Sequence, residues 1–317
     1  MVRKVLITGI AGFAGSHLAE RLIGRFEVSG TVIDDNVRNL SGLSGLDLVK
    51  CDLLDRGAVE GLIARLKPDF IFHLAAQSMP SFSFGHPAET LSTNIFSTLN
   101  IFEATVNSSP ETAILNIGSG DEYGDVRQES LPVNETAELR PLNPYAVSKV
   151  TQDLLAFQYW KSRGLKVVRA RPFNHFGARQ AESFVAAEFA KQIAEIEAGI
   201  KKNKALKVGN LDAVKDFLDV RDVVAAYELL VHKGNYGEVY NICSGRAISI
   251  RQMAEKLISL SSEKIEIEQD TSRKRPTDTV AMYGDASRLK SLGWEQRYTL
   301  EESIKALLDY WRGRVGR

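Results

Sequence analysis

Val5-Leu6-Ile7-Thr8-Gly9-Ile10-Ala11-Gly12-Phe13-Ala14-Gly15-Ser16 decides how this chain is read. A short β-branched run passes into glycines spaced G-x-x-G-x-x-G, and the apolar spacing of Leu18, Leu22 and Ile23 predicts a helix over Ser16 to Arg25. A strand, a glycine turn and a helix in that order make an anion site. Glycine lets the backbone turn tightly and approach a pyrophosphate, while the helix N-terminus supplies unpaired N–H groups and a partial positive charge. The expectation is a bound dinucleotide at Gly9, Gly12 and Gly15, with Phe13 and Ala14 between them.

Working outward, β-branched runs alternate with helical spacing as far as Arg171, the rhythm of parallel strands joined by crossover helices. Strands are predicted at Val5 to Thr8, Val28 to Asp34, Leu46 to Cys51, Phe70 to Ala75, Ala113 to Gly118 and Lys166 to Arg171, with a helix at Val59 to Leu66. After Pro172 the pattern changes to a helix at Phe184 to Ala198, a basic turn at Lys201-Lys202-Asn203-Lys204 and a short strand at Leu206 to Val208. Asp219 to Leu230 then reads as a helix and Glu238 to Ile242 as a strand, so the chain is expected to return to its sheet. The predicted fold is α/β, a doubly wound parallel sheet of Rossmann type with a smaller, discontinuous C-terminal substrate lobe. Residues 1–172 and about 217–245 are assigned to the dinucleotide part, and 173–216 with about 246–317 to the lobe.

Composition excludes several classes. With 44% hydrophobic and 25% charged residues in 317, the chain can build a sizeable core and is not of disordered type. Forty basic residues balance forty acidic ones, so no net positive field exists to hold a nucleic acid. Cys51 and Cys243 lie far apart without a C-x-x-C pair, so neither a disulfide scaffold nor a metal site is expected. The apolar start breaks at Thr8-Gly9 and no run is long enough to span a bilayer, so a cytoplasmic protein without membrane contact is expected.

Asp34, at the end of the second predicted strand, can accept hydrogen bonds from both adenosine ribose hydroxyls and would repel a 2′-phosphate. That favours NADH, while Arg38 is near enough in sequence to hold a 2′-phosphate and keeps NADPH open. Asp52 is a candidate for the adenine edge with Leu53 beside it, and Leu74, Ala75 and Ala76 are placed against the cofactor where the fourth strand ends. His73, at that strand end, is expected to be packed and hydrogen-bonded rather than catalytic.

Tyr145 and Lys149 are four residues apart, on one face of a helix, and Gly118-Ser119-Gly120 puts a hydroxyl at the C-terminal edge of the sheet. A free tyrosine has a pKa of about 10, which a neighbouring ammonium is expected to lower, making Tyr145 a usable acid or base. Joined to the glycine loop, these motifs resemble the extended short-chain dehydrogenase/reductase family, over residue 3 to beyond residue 280. The resemblance implies that Ser119, Tyr145 and Lys149 form the catalytic triad. Ala75-Ala76-Gln77-Ser78, Arg171-Pro172-Phe173-Asn174-His175, the stretch from Val208-Gly209-Asn210-Leu211-Asp212 to Phe217, and Arg275-Pro276 are similar to the branch that acts on GDP-mannose derivatives. They imply a GDP-linked sugar held by Gln77, Ser78, Asn174, Asn210, Leu211, Lys215 and Arg275. Lys215 stands where relatives usually carry arginine and lacks its bidentate fork, which makes Arg275 the better phosphate clamp.

Within that branch, dehydratases carry threonine at position 119 and glutamate at 121. Here Ser119 and Asp121 stand instead, and Asp121 is one methylene short of the usual base. The expected reaction is therefore reduction of GDP-4-keto-6-deoxy-D-mannose at C4 by NADH or NADPH to GDP-D-rhamnose, with Tyr145 as proton donor. Dehydration of GDP-mannose with a retained cofactor and Asp121 as base, epimerisation, and dinucleotide sensing without turnover remain the alternatives. The resemblance also implies a homodimer through helices near residues 90–106 and 145–162. Phe96, Leu99, Ile101 and Phe102 either supply part of that face or pack against the sheet.

Overall fold

In a computed structural model of the chain, residues 2–270 and 281–315 are described. The first half runs β1 (Lys4–Thr8), α1 (Phe13–Leu22), β2 (Glu27–Val32), β3 (Leu46–Lys50), α2 (Arg56–Leu66), β4 (Phe70–His73), α3 (Pro80–Gly85), α4 (Pro87–Ser108), β5 (Ala113–Ile117), α5 (Pro144–Arg163) and β6 (Val167–Pro172). The second runs β7 (Asn174–Phe176), α6 (Val185–Glu197), β8 (Ala205–Val208), β9 (Val214–Asp219), α7 (Val220–Lys233), β10 (Val239–Ile242), β11 (Ala247–Ser249), α8 (Ile250–Ser259), β12 (Glu266–Gln269), β13 (Ala281–Met282), α9 (Ser287–Lys290) and α10 (Leu300–Arg312).

β1 is buried from Val5 onward because a strand lies on each side of it and helices cover both faces. Seven strands pair in the order β10-β6-β5-β4-β1-β2-β3, all parallel, which is the doubly wound sheet expected. α1 and α7 pack together on one face, over a core that includes Ile7, Leu18, Leu115, Val223 and Tyr227. On the other, α2, α4 and α5 enclose Leu6, Ile71, Ile101, Phe102, Ile114 and Val167. The direction of strand order reverses between β1 and β4, which opens a crevice above their C-terminal ends.

Several boundaries differ from the sequence reading for local reasons. The helix predicted over Ser16 to Arg25 starts at Phe13, because Gly12 already has the extended N-cap backbone; it ends at Leu22, before Gly24 takes a left-handed φ of 79°. The second strand stops at Val32 rather than Asp34, whose carboxylate accepts the Asn36 N–H at 2.9 Å and turns the chain. The fourth stops at His73 rather than Ala75, since the N–H groups of Leu74 and Ala75 donate to the Thr8 hydroxyl, each at 3.1 Å.

β9 is the spine of a second, smaller sheet, parallel to β7 and β13 and antiparallel to β11. β8 and β12 form a separate parallel pair, and α6, α8 and α10 pack round Phe189, Ile193, Leu257 and Leu307. β9 runs without a break into α7: Asp219 caps α7 by accepting the Arg221 N–H at 2.8 Å and also accepts the Ser303 hydroxyl of α10 at 2.6 Å. No helix among the described residues is long and apolar enough to cross a membrane.

Candidate active site

A cleft of about 1400 Å³ lies above β1, β4 and β5 and extends to the smaller sheet. Its floor is the glycine loop. Gly9 takes a φ of 67°, and a Cβ there would lie 3.0 Å from the Ala75 backbone. A Cβ on Gly15 would overlap the Gly9 carbonyl oxygen and lie 3.0 Å from Ile10 Cα, so α1 can sit this close only on glycine. The Asn39 amide donates to the Ala11 carbonyl at 3.1 Å, and Phe13 stacks on His175 with ring centroids 5.7 Å apart, which braces the loop from two sides. Gly9, Gly12, Phe13, Ala14, Gly15, Asp34, Asp52, Leu53, Leu74, Ala75 and Ala76 all border the cleft. The Arg38 side chain is exposed on a short 3-10 turn and is absent from the lining, so the structure brings Asp34 but not Arg38 to the crevice.

α5 begins at Pro144 because Asn143 caps it, accepting the Ala146 N–H at 2.8 Å. That start sets Tyr145 and Lys149 one turn apart, facing the end of β5, both buried. Lys149 Nζ donates to the Ile117 carbonyl at 2.9 Å and lies 5.9 Å from the Tyr145 ring centre. Two residues along, the Ser119 hydroxyl accepts the Asp121 N–H at 3.1 Å and is hydrogen-bonded to the Tyr145 phenol.

The expected fall in the Tyr145 pKa does not occur. Burial, reinforced by the Asp121 charge, pushes the phenol above its usual range, and the Ser119 hydrogen bond opposes this only in part. Lys149 spends its hydrogen bond on the Ile117 carbonyl, and burial pulls the ammonium down to about 8 against the pull of Glu122. Tyr145 is therefore a protonated donor at neutral pH. Asp121 is half-buried on the cleft wall; burial raises its carboxyl pKa, and the charge of Lys215 on β9 opposes the rise.

Gln77, Ser78, Asn174, Asn210 and Lys215 line the cleft, whereas Leu211 is packed into the core of the smaller sheet and its helices. Arg275 lies outside the described residues. Gln77 is fixed by Asn94, which accepts its N–H at 2.7 Å and donates to its carbonyl at 3.1 Å. His73 is buried and hydrogen-bonded to Thr8 and Thr98, both at 2.9 Å; burial, then the Lys149 charge, lowers its pKa to about 3. Sequence reasoning missed Glu122, Arg171 and Asp153, a buried cluster under Ser119. Ser119 and Glu122 have the S-x-x-E spacing of a capping box, the one signal that could have found it.

Comparison with known proteins bears on this geometry. The family model for GDP-mannose 4,6 dehydratase matches residues 6–307. The chain belongs to that family. The GDP-mannose 4,6 dehydratase family places it, as its motifs suggest, among the extended short-chain dehydrogenases/reductases. The chain is 36% identical over 316 residues to GDP-6-deoxy-D-mannose reductase of Pseudomonas aeruginosa, covering 99% of both chains. It is 30% identical over 311 residues to GDP-6-deoxy-D-talose 4-dehydrogenase of Aggregatibacter actinomycetemcomitans, covering 96% of each. Among solved structures it is similar to RMD from Pseudomonas aeruginosa complexed with NADPH, with a TM-score of 0.86, 35% identity and coverage of 99% of this chain and 100% of the other. UDP-glucose 4-epimerase of Thermus thermophilus complexed with NAD gives a TM-score of 0.89 at 27% identity, covering 98% and 100%.

Proposed function

We propose that the protein reduces GDP-4-keto-6-deoxy-D-mannose at C4 to GDP-D-rhamnose. The observation that carries this reading is a buried Tyr145 held protonated beside Ser119, which suits a group that gives a proton to an oxygen gaining charge. Full-length similarity to a GDP-6-deoxy-D-mannose reductase supports the same substrate class.

The glycine cradle, closed to any side chain at Gly9 and Gly15, fits a nicotinamide dinucleotide. When bound, that cofactor supplies the hydride. Gly9, Gly12, Phe13, Ala14 and Gly15 would hold its pyrophosphate, Asp34 the adenosine ribose, Asp52 and Leu53 the adenine, and Leu74, Ala75 and Ala76 its inner length. As C4 gains hydride, its oxygen takes the Tyr145 proton and a hydrogen bond from Ser119, and the Lys149 ammonium stabilises the tyrosinate left behind. Asn174, Asn210 and Lys215, from the substrate lobe of residues 173–216 and about 246–317, and Gln77 and Ser78, from the dinucleotide part, would orient the sugar and its diphosphate. Asp34 in the crevice favours NADH, whereas the similar Pseudomonas structure holds NADPH, so the assay uses both. The working unit is a homodimer across α4 and α5, whose outer face leaves Phe96, Val147, Leu154 and Phe157 exposed. Leu99 is partly buried, and Ile101 and Phe102 pack inward instead.

GDP-mannose dehydration is the second reading, favoured by the Asp121 carboxyl on the cleft wall, close enough to act on Tyr145. The experiment supplies the keto sugar with NADH or NADPH and, in parallel, GDP-mannose with NAD. Loss of reduced-nicotinamide absorbance in the first tube and no product in the second is expected, with Asp121→Asn retaining the keto reduction. A 4-keto product from GDP-mannose without net cofactor use, abolished in Asp121→Asn, would replace the reductase by the dehydratase.

A further inference from the structure

Beneath the catalytic side chains lies a charge cluster that the reaction as written does not use. Glu122, Asp153 and Arg171 are 0%, 1% and 3% exposed. Glu122 closes the 3-10 turn Gly120–Glu122, whose N-cap is Ser119. One of its carboxylate oxygens accepts the Ser119 N–H at 2.7 Å and the other accepts Arg171 Nε at 2.8 Å. The slot is shaped for this reach: a Cβ on Gly118 would overlap Glu122 Oε1 and lie 3.1 Å from the Ala170 carbonyl. Arg171 is itself held, donating to Asp153 at 2.8 Å and to the Tyr123 hydroxyl at 3.1 Å, and Tyr123 donates onward to Asn241 at 2.6 Å.

The segment from Ile117 to Ser119 is thus gripped twice. Lys149 takes the carbonyl at its start and Glu122 takes the N–H at its end. An uncompensated carboxylate in such a place is costly, and a valine or leucine would fill the same space at no charge cost. We propose that Glu122 is the positioning residue of this site, fixing the Ser119 backbone so that its hydroxyl meets Tyr145 and lending its negative charge to the Lys149 ammonium across the strand end. The inference rests on the reading of Ser119, Tyr145 and Lys149 as the proton-transfer group.

The groups facing Glu122 are Arg171 on β6, Lys149, Asp153 and Tyr145 on α5, and Asp121 and Tyr123 in its own turn. Burial and Asp153 act to raise its carboxyl pKa, while Arg171, the Ser119 N–H and Lys149 act to lower it, and with both oxygens accepting hydrogen bonds the ionised form is the one the geometry fits. Among the described residues, Glu122 is also the charge that acts to raise the Lys149 pKa against burial. Removing it lets Lys149 lose its proton at lower pH.

The test measures kcat and KM against pH for keto-sugar reduction by the wild type, Glu122→Gln, Glu122→Leu and Tyr145→Phe. Glu122→Gln keeps an acceptor for the Ser119 N–H and loses the charge. Its alkaline limb in kcat is expected to move down by roughly one pH unit with KM unchanged. Glu122→Leu loses both, and its kcat is expected to fall by about tenfold or more at every pH. A merely structural glutamate would lower the melting temperature and leave the pH limb of the folded fraction in place; wild-type kcat and an unmoved limb in Glu122→Gln would overturn the proposal. If the leucine variant does not fold, the limb in Glu122→Gln decides alone. Full turnover in Tyr145→Phe would sink the site reading itself, whereas an inactive Tyr145→Phe beside an unaltered Glu122→Gln would sink only the role of Glu122.

Discussion

Replacing Gly15 with alanine separates cofactor binding from stability. The new methyl would lie 3.0 Å from both Ile10 Cα and the Ile10 carbonyl oxygen and nearer still to the Gly9 carbonyl oxygen, all of them backbone. No rotamer relieves such an overlap, so α1 has to back away from the loop. Alanine gains about 1 kcal/mol of helix propensity over glycine, and overpacking costs about 1–3 kcal/mol, so the net loss of stability is about 1 kcal/mol. For a chain of this size that lowers Tm by roughly 2 °C. The N–H groups at the start of α1 retreat with the helix, and losing one hydrogen bond to a charged phosphate costs about 1.5–3 kcal/mol, or roughly 10- to 100-fold in Kd. Calorimetric titration with NADH and NADPH, alongside thermal melts, reads both quantities. Gly24→Ala is the control: its φ is 79° and no atom lies within 4 Å of a Cβ there, so it costs about 1 kcal/mol in backbone strain and leaves binding alone. Wild-type Kd values in Gly15→Ala, or an equal loss in Gly24→Ala, would refute the reasoning.

Three further outcomes are expected. The Lys149 ammonium is held at about 8, below its unfolded value of about 10.4, so between those limits the unfolded chain binds the extra proton and this residue's contribution rises with pH. Lys149→Met should therefore be at least as stable as wild type at pH 7, with its advantage shrinking from pH 8 upward in urea titrations; a variant that is less stable at pH 7 contradicts the burial argument. His17 is lowered to about 4, chiefly by burial, and His73 to about 3, so both support the fold fully above about pH 6.5 and lose that contribution as pH falls through 6.5 toward 4 and 3. Phenylalanine at position 17 should flatten the acid-side fall of unfolding free energy, and an unchanged slope would count against it. Leu154, 55% exposed on α5, is expected to sit in the dimer interface, so Leu154→Glu should elute as a monomer in light-scattering chromatography where the wild type is a dimer; a monomeric wild type removes that interface.

The sheet was legible because its signals are local: β-branched runs, a glycine loop and the i, i+4 pair Tyr145 and Lys149 survive in any tertiary context. Boundaries were less so, since β4 ends where a side chain, Thr8 Oγ1, captures the next two N–H groups, and that hydroxyl comes from another strand. The Tyr145 pKa was read with the wrong sign for a similar reason. Proximity of Lys149 is visible in sequence, but the burial that outweighs it and the Ile117 carbonyl that occupies the ammonium are made by the sheet. Arg171 and Glu122 stand 49 positions apart, and nothing in their spacing announces an ion pair. Leu211 sits in a motif of polar neighbours, yet its side chain answers to the core beneath.

The path of β9 into α7 bears on how such proteins can be recombined. Residues beyond the first half close the large sheet twice, with α7 over Leu115 and Tyr227's side of the core and with β10 as its outer strand beside β6. A chimera joined at one breakpoint after Pro172 would therefore mix helix α7 and an edge strand from one parent with the sheet of the other. The smaller sheet and its helices therefore cannot be exchanged as a cassette; a working graft needs at least three junctions, at the ends of β6, β9 and β10, where the chain passes between the two sheets.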